Sequence, residues 1–152
     1  MTSAEKATKD FNELYSLLID SQIQLSMKKI ITTPNAPAPI GPYNQAVLNG
    51  NMLYTSGQIA IDPKTGNLVI DDIKTETKLV MENLKAILTE AGMTFENILK
   101  TSIFISDMHN FAAINEVYAT YFNETTAPAR ETVEVANLPK FVNVEISVIA
   151  SL

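Results

Sequence analysis

Apolar residues in the first 26 positions recur at the spacing of an α-helix. Four of them fall at i, i+3, i+4 and i+7 and so share one side of a helix: Phe11, Leu14, Tyr15 and Leu18. The pattern predicts a helical N-terminal extension over residues 1–26, ahead of a domain that spans residues 27–152. Three roles for this extension stay open: a helix packed on the domain, a partner-binding segment, or a leader.

From Lys28 onward the pattern changes to short strand-like runs separated by turns. Four of the seven prolines lie in PNAPAPIGP, which predicts a stiff, extended connection. Two strand-like runs flank Asn49-Gly50, a dipeptide typical of tight hairpin turns. A two-residue turn there would place Leu48 opposite Asn51 and Tyr43 opposite Ser56. The segment DPKTGN, residues 62–67, predicts a second turn.

Helical and strand-like periods then alternate along the chain. Apolar spacing predicts a helix near residues 72–91 that ends at Gly92 in a left-handed conformation. The β-branched run at 98–106 predicts a buried strand, and a second helix follows at about 110–122. This order favours an α+β fold in which both helices cover one face of a mixed sheet.

Two alternating segments close the chain, ETVEVA and FVNVEISVIA, and the NLPK between them indicates a hairpin. In that pairing Thr132 lies opposite Glu145 and Arg130 opposite Ser147. If the valines and isoleucines face the helices, then Arg130, Thr132 and Glu145 form one polar patch on the other side of the sheet. An exposed, salt-bridged sheet face is the simpler alternative.

Composition narrows the possible functions. The chain has 152 residues, 46% of them apolar, which suits a single packed domain. Its 11 basic and 17 acidic residues give a net charge of −6, which disfavours nucleic acid as a partner. With no cysteine and only His109, we expect no metal site and no cofactor. No uninterrupted apolar run approaches the ~20 residues of a membrane-spanning helix, and no targeting signal is evident, so we expect no membrane association and a cytoplasmic location.

From Met27 to Leu152 the sequence resembles the RidA/YjgF family of enamine/imine deaminases. Five ordered segments carry the resemblance: APAPIGPYNQAV at 36–47, LYTSGQIAIDPKTG at 53–66, NLKAILTEAG at 83–92, KTSIFISDMHNFAAINEVYATYF at 100–122, and APARETVEVANLPK followed by VEISVIA. The resemblance implies a chorismate-mutase-like α+β fold, a homotrimer, and active sites in clefts between neighbouring subunits.

The resemblance also implies roles for individual residues. Arg130 matches the arginine that binds the substrate carboxylate, and Glu145 matches the acid that handles water. The other positions matching the substrate pocket are Tyr43, Ser56, Gly57 and Thr132. Thr132 departs from the many active members that have cysteine there, which leaves substrate preference open. Asn115 matches an asparagine near the subunit contact, for which we expect a structural role.

The implied reaction is hydrolysis of small 2-imino acids, such as 2-iminopropanoate and 2-iminobutanoate, to 2-keto acids and ammonia. Arg130 would orient the substrate through two parallel hydrogen bonds, and a water held by Glu145 would attack the C=N carbon. Two alternatives stay open. One is a regulatory protein that binds a small carboxylate without turnover. The other is an RNA-directed translation inhibitor or ribonuclease, which the acidic composition disfavours.

Overall fold

The computed structural model describes residues 2–25 and 27–152, so Met1 and Ser26, at the ends of the predicted extension, lie outside the described residues. The extension forms helix α1, Ser3–Leu25. Its apolar stripe is more than half exposed at Phe11, Leu14, Tyr15 and Leu18. One copy of the chain therefore does not bury this stripe in its own core. None of the helices in the described chain is long and apolar enough to cross a membrane.

Six strands form one sheet in the order β1-β2-β3-β6-β4-β5. Their bounds are β1 Lys28–Ile31, β2 Ala46–Asn49, β3 Met52–Thr55, β4 Ile98–Ile105, β5 Ala129–Glu134 and β6 Val144–Ser151. Every neighbouring pair is antiparallel except β4 and β5, which are parallel. The predicted mixed sheet is confirmed.

Two helices cover one face of this sheet, as predicted: α2, Ile73–Glu90, and α3, Phe111–Ala119. The core between sheet and helices includes Val80, Leu84, Ile114, Ile103 and Ile146. Each of these side chains is at most 2% exposed, so hydrophobic burial fixes which face of each strand the helices cover.

The ends of α2 follow from local chemistry. The Asp72 carboxylate accepts hydrogen bonds from the backbone N–H groups of Lys74 and Thr75, at 3.0 and 3.1 Å. Hydrogen bonds from Thr75 hold the pKa of Asp72 below its usual value. At the other end Gly92 takes a positive φ of 75°, which confirms the predicted left-handed stop.

The predicted closing hairpin is wrong. Strand β4 lies between β5 and β6, and β5 runs parallel to β4 after α3 crosses over the sheet. Arg130 and Thr132 pair with Thr101 and Ile103, which face the helices. Arg130 and Thr132 therefore lie on the helix side of the sheet, contrary to the predicted patch.

Glu145 lies on the opposite side. It pairs with Phe104 of β4. Because successive side chains of a strand point to opposite faces, Phe104 and Glu145 point away from the helices, whereas Ile103 points toward them. The two-fold alternation of the segments was correctly identified, but alternation does not reveal which strand each segment pairs with. A pairing error of this kind reassigns whole faces of the sheet.

The first hairpin is confirmed with a different register. Asn49 pairs with Met52, so the turn residues are Gly50 and Asn51, and Leu48 pairs with Leu53. Gly50 has a φ of 63°, which a residue with a side chain rarely adopts. Pairing ends at Ala46 and Thr55, so the predicted Tyr43–Ser56 pair is wrong.

Candidate active site

A cavity of about 340 Å³ opens beside the helix-free side of β6. Its walls are mostly apolar, with a small number of polar side chains among them. The lining residues are Pro37, Ala38, Ile40, Tyr43, Gln45, Ser56, Gly57, Gln58, Ile59, Ile61, Pro139 and Glu145. The structure thus brings together four of the six residues predicted for the site, all except Arg130 and Thr132.

Glu145 supplies the acidic group of this cavity. Its side chain is half-buried, and burial raises the pKa of its carboxyl above the ordinary 4.5. Within the described chain no side chain donates a hydrogen bond to this carboxyl. A carboxyl group with a raised pKa inside a cavity is suited to accept and return a proton during catalysis.

Gly57 makes room for the Glu145 side chain. A Cβ atom at position 57 would overlap the Glu145 carboxyl group. Glycine is therefore required at this position for the observed placement of Glu145, because any larger residue would displace the carboxyl group. The family resemblance indicated Gly57, and the close approach supplies the physical reason.

Tyr43 and Ser56 line the cavity from neighbouring backbone segments. The Tyr43 hydroxyl accepts a hydrogen bond from the Ile40 N–H at 3.2 Å. The Ser56 hydroxyl donates to the Asn44 carbonyl at 2.6 Å. Because the Ser56 hydroxyl donates its hydrogen bond to a backbone carbonyl and not to a basic side chain, Ser56 is not arranged as a nucleophile.

Gln45 is a site residue that sequence reasoning missed. Its side chain is 2% exposed and accepts from the Thr33 N–H at 2.7 Å. Its amide nitrogen donates to the carbonyls of Thr33, Ala36 and Pro37 at 2.9–3.0 Å. These bonds fasten the proline-rich segment over the cavity. The sequence shows only a glutamine directly before the apolar β2, which does not reveal that its side chain is buried.

Arg130 lies outside this cavity and is held by α3. It is the single arginine of the chain, and its Nη1 donates to the Asn115 Oδ1 at 2.7 Å. The guanidinium carbon lies 4.8 Å from the ring centre of Tyr118 and 5.8 Å from that of Phe111. Two aromatic rings and an amide thus fix a guanidinium group that is itself exposed.

A buried bond supports this aromatic platform. The Tyr118 hydroxyl donates to the Thr101 Oγ1 at 3.1 Å, and Thr101 is fully buried in β4 beside Arg130. The platform consists of Phe111, Asn115 and Tyr118 on successive turns of α3. A structural role was expected for Asn115. The arrangement of these three residues also restricts the orientation of Arg130.

The chain is similar to proteins of one family over most of its length. A family model described as endoribonuclease L-PSP matches residues 33–152. A RutC family protein of Pyrococcus horikoshii is 54% identical over 124 residues, which make up 82% of this chain and 98% of that protein. The 2-iminobutanoate/2-iminopropanoate deaminase of Salmonella typhimurium is 49% identical over 126 residues, covering 82% of this chain and 98% of that protein.

Solved structures agree with this similarity. The crystal structure of Escherichia coli TdcF with bound serine has a TM-score of 0.77 and 47% identity, covering 82% of this chain and 98% of that chain. The E. coli YjgF gene product has a TM-score of 0.76 and 47% identity, covering 81% of this chain and 98% of that chain. The chain belongs to the RidA/YjgF family.

Proposed function

We propose that this protein hydrolyses small 2-imino acids to 2-keto acids and ammonia. The observation that carries the proposal is a half-buried Glu145 carboxyl in a mostly apolar cavity, fitted closely against Gly57. The Salmonella relative named as an imine deaminase supports the same substrate class. The serine bound to E. coli TdcF has an α-carboxylate and an α-nitrogen, as a 2-imino acid does.

The active site is proposed to form between two copies of the chain. Arg130 and Glu145 lie on opposite faces of the sheet, so one copy cannot present both to one small ligand. Arg130 is exposed on β5, the last strand of the sheet, where a neighbouring copy can approach. The site then combines Arg130 and Thr132 of one copy with Tyr43, Ser56, Gly57 and Glu145 of the next.

The helix-free face supports association of copies. Tyr54, Val133 and Ile30 are 47%, 44% and 41% exposed, and all three lie on this face. Exposed apolar rows on a sheet are typical of a surface that another chain covers. A homotrimer, in which each copy contributes Arg130 to one neighbour and Glu145 to the other, uses this face and completes three sites.

In the proposed reaction Arg130 binds the substrate carboxylate with the donors that Asn115 does not use. Water attacks the imine carbon and breaks the C=N double bond to a single bond, while Glu145 takes a proton from the water. Glu145 returns that proton to the nitrogen of the carbinolamine. Glu145 next moves the hydroxyl proton of the carbinolamine to the same nitrogen, so that the C–N bond breaks and ammonia leaves as the C=O bond of the 2-keto acid forms. Because the substrate is already electrophilic, positioning and proton transfer suffice.

RNA cleavage is the second candidate, because the matching family model carries the description endoribonuclease. The net charge of −6 disfavours it, since binding to the phosphate backbone depends on basic side chains. RNA cleavage that survives Glu145→Gln, with no imine hydrolysis by the wild type, would favour this candidate.

Imine hydrolysis can be assayed on 2-iminopropanoate generated enzymatically in situ, with keto-acid formation as the readout. We expect the wild type to accelerate hydrolysis and Arg130→Lys and Glu145→Gln each to lose about 100-fold in kcat/KM. Glu116→Gln, which removes an exposed acidic group of α3 that pairs with Lys74, is the matched control. An assembled wild type that does not accelerate hydrolysis contradicts the proposal.

A binding measurement separates turnover from simple carboxylate binding. Because Arg130 is the single arginine, phenylglyoxal modifies the chain at one guanidinium group only. We expect 2-ketobutanoate to protect Arg130 from modification. Protection without any imine hydrolysis would favour a non-catalytic carboxylate-binding protein, and absence of protection would contradict the proposed carboxylate clamp.

A further inference from the structure

Glu76 is a fully buried acidic residue outside the cavity. It lies in the first turn of α2, and its side chain is 0% exposed. Burying a carboxylate costs free energy unless it is paired or hydrogen-bonded. The ion pairs found among residues 2–25 and 27–152 do not include Glu76. Its burial therefore needs a reason other than charge pairing.

Hydrogen bonds to one short stretch of backbone supply that reason. The Glu76 Oε1 accepts from the backbone N–H of Asn143 at 2.7 Å and of Val144 at 3.2 Å. The Glu76 Oε2 accepts from the Asn143 side-chain amide at 2.8 Å. Both oxygens are therefore satisfied by N–H donors, and the N-terminal end of α2 adds a favourable dipole. All three bonds end at the start of β6.

The stretch that Glu76 holds connects two walls of the cavity. Pro139 and Glu145 line the cavity, and Asn143 lies between them in the chain. Just before Asn143, Lys140 and Phe141 have φ values of 56° and 55°. Two successive positive φ values in residues other than glycine are strained, so this turn persists only when neighbouring contacts impose it.

We propose that Glu76 is a positioning residue for Glu145: its carboxylate fixes the start of β6 and thereby sets where the Glu145 side chain enters the cavity. Glu76 touches no substrate and acts only through the backbone of residues 143 and 144. The catalytic consequence rests on the proposed function, whereas the structural consequence for Glu145 does not.

Substitution at Glu76 separates this role from general packing. Glu76→Met keeps an unbranched side chain of similar length and removes both acceptors. Glu76→Gln keeps one side-chain oxygen, which can still accept from the two backbone N–H groups. The new amide NH2 group faces the Asn143 side chain, which can rotate so that its oxygen accepts the hydrogen bond. Thr77→Val is the matched control, because Thr77 is equally buried and its hydroxyl, among residues 2–25 and 27–152, bonds to the Ile73 carbonyl of its own helix.

The kinetic arm uses the full chain and the imine assay. We expect Glu76→Met to lower kcat by about 10- to 100-fold with little change in the affinity for 2-ketobutanoate, which Arg130 governs. Glu76→Gln should restore most of kcat, and Thr77→Val should leave it unchanged. If Glu76→Met does not fold, Asn143→Ala, which removes one of the three bonds, should show a smaller loss of the same kind. A folded Glu76→Met with wild-type kcat overturns the proposal.

A second arm does not depend on activity. Burial raises the pKa of Glu145, so NMR titration of its side-chain carboxyl carbon reports on its placement. We expect that pKa to fall toward 4.5 in Glu76→Met, or in Asn143→Ala if Glu76→Met does not fold, and to stay raised in Thr77→Val. An unchanged pKa overturns the positioning role even if the wild type hydrolyses no imine. An inactive wild type with a shifted pKa contradicts only the proposed function.

Discussion

Arg130 and Glu145 lie two strands apart in the same sheet and project from opposite faces of it. Arg130 reaches the α3 side, where its Nη1 is 2.7 Å from the Asn115 Oδ1. Glu145 enters the cavity beside Gly57 on the helix-free side. A ligand that contacts both groups therefore needs two copies of the chain. This relationship turns subunit contact into a requirement of the proposed chemistry.

Removal of the Asn115 amide tests the support of Arg130. Without it the guanidinium keeps its aromatic contacts but loses a directional hydrogen bond. We therefore expect Asn115→Ala to raise KM for 2-iminopropanoate about 10-fold with a smaller change in kcat. Glu116→Gln, which changes only an exposed ion pair with Lys74, is the control. A change confined to kcat would contradict a role in carboxylate binding.

The raised pKa of Glu145 predicts opposite effects on activity and stability. The base form is needed for catalysis, so kcat/KM should rise with pH through a midpoint above 4.5. A carboxyl whose pKa is higher in the folded than in the unfolded state makes the protein less stable as the pH rises from the unfolded-state pKa through the folded-state pKa. Glu145→Gln should therefore have a higher Tm than the wild type at pH 7. Thermal unfolding at pH 3.5, where this advantage should vanish, supplies the control; an equal difference at both pH values would contradict the assignment.

Gly57→Ala tests the close approach to Glu145. The new Cβ overlaps the carboxyl, which is the flexible end of the Glu145 side chain and can move aside, so we expect a large loss of kcat but a cost of less than about 1 kcal/mol in the free energy of unfolding. In the Glu145→Ala background the obstructing group is gone, and Gly57→Ala should instead stabilise the fold by about 0.4–1 kcal/mol, as alanine does at a backbone position without strain. Urea unfolding of the four proteins in this cycle measures the coupling. Additive costs would show that Glu145 is not the group displaced.

Phe141 tests whether the turn before β6 is strained. Its φ is 55° and its side chain is 80% exposed, so truncation loses little buried area. Alanine is normally more stabilising than glycine, but it keeps the left-handed strain that glycine relieves. We expect Phe141→Gly to be about 1 kcal/mol more stable than Phe141→Ala in chemical denaturation. The usual order, with alanine more stable, would contradict strain at this position.

Local patterns predicted much of the fold. Helix α2, with Asp72 at its start and Gly92 at its end, depends on neighbouring residues and was predicted to within one residue at each end. The hairpin around Gly50 also depends on local turn chemistry. The position of β4 between β5 and β6 depends on pairing between distant residues. Alternation in ETVEVA suits a parallel neighbour as well as an antiparallel one, so the sequence could not decide this pairing.

The residues of the candidate site were likewise predicted only in part. Tyr43, Ser56, Gly57 and Glu145 were predicted through resemblance, and the structure brings them to one cavity. Gln45 and Glu76 were missed, because a buried polar residue inside an apolar pattern has no distinctive spacing. Their roles become visible only with the backbone groups they bind, which lie 8–12 residues away for Gln45 and 67–68 residues away for Glu76.

Subunit complementation tests the central claim most directly. Arg130→Lys and Glu145→Gln chains, each about 100-fold less active than the wild type when alone, are unfolded together in equal amounts and refolded into mixed oligomers. If each site takes Arg130 from one copy and Glu145 from its neighbour, random assembly restores about a quarter of the sites to wild type. We predict that the mixture regains about a quarter of the wild-type imine hydrolysis, whereas separately refolded variants regain none. A mixture that stays as inactive as its components would contradict a site shared between copies.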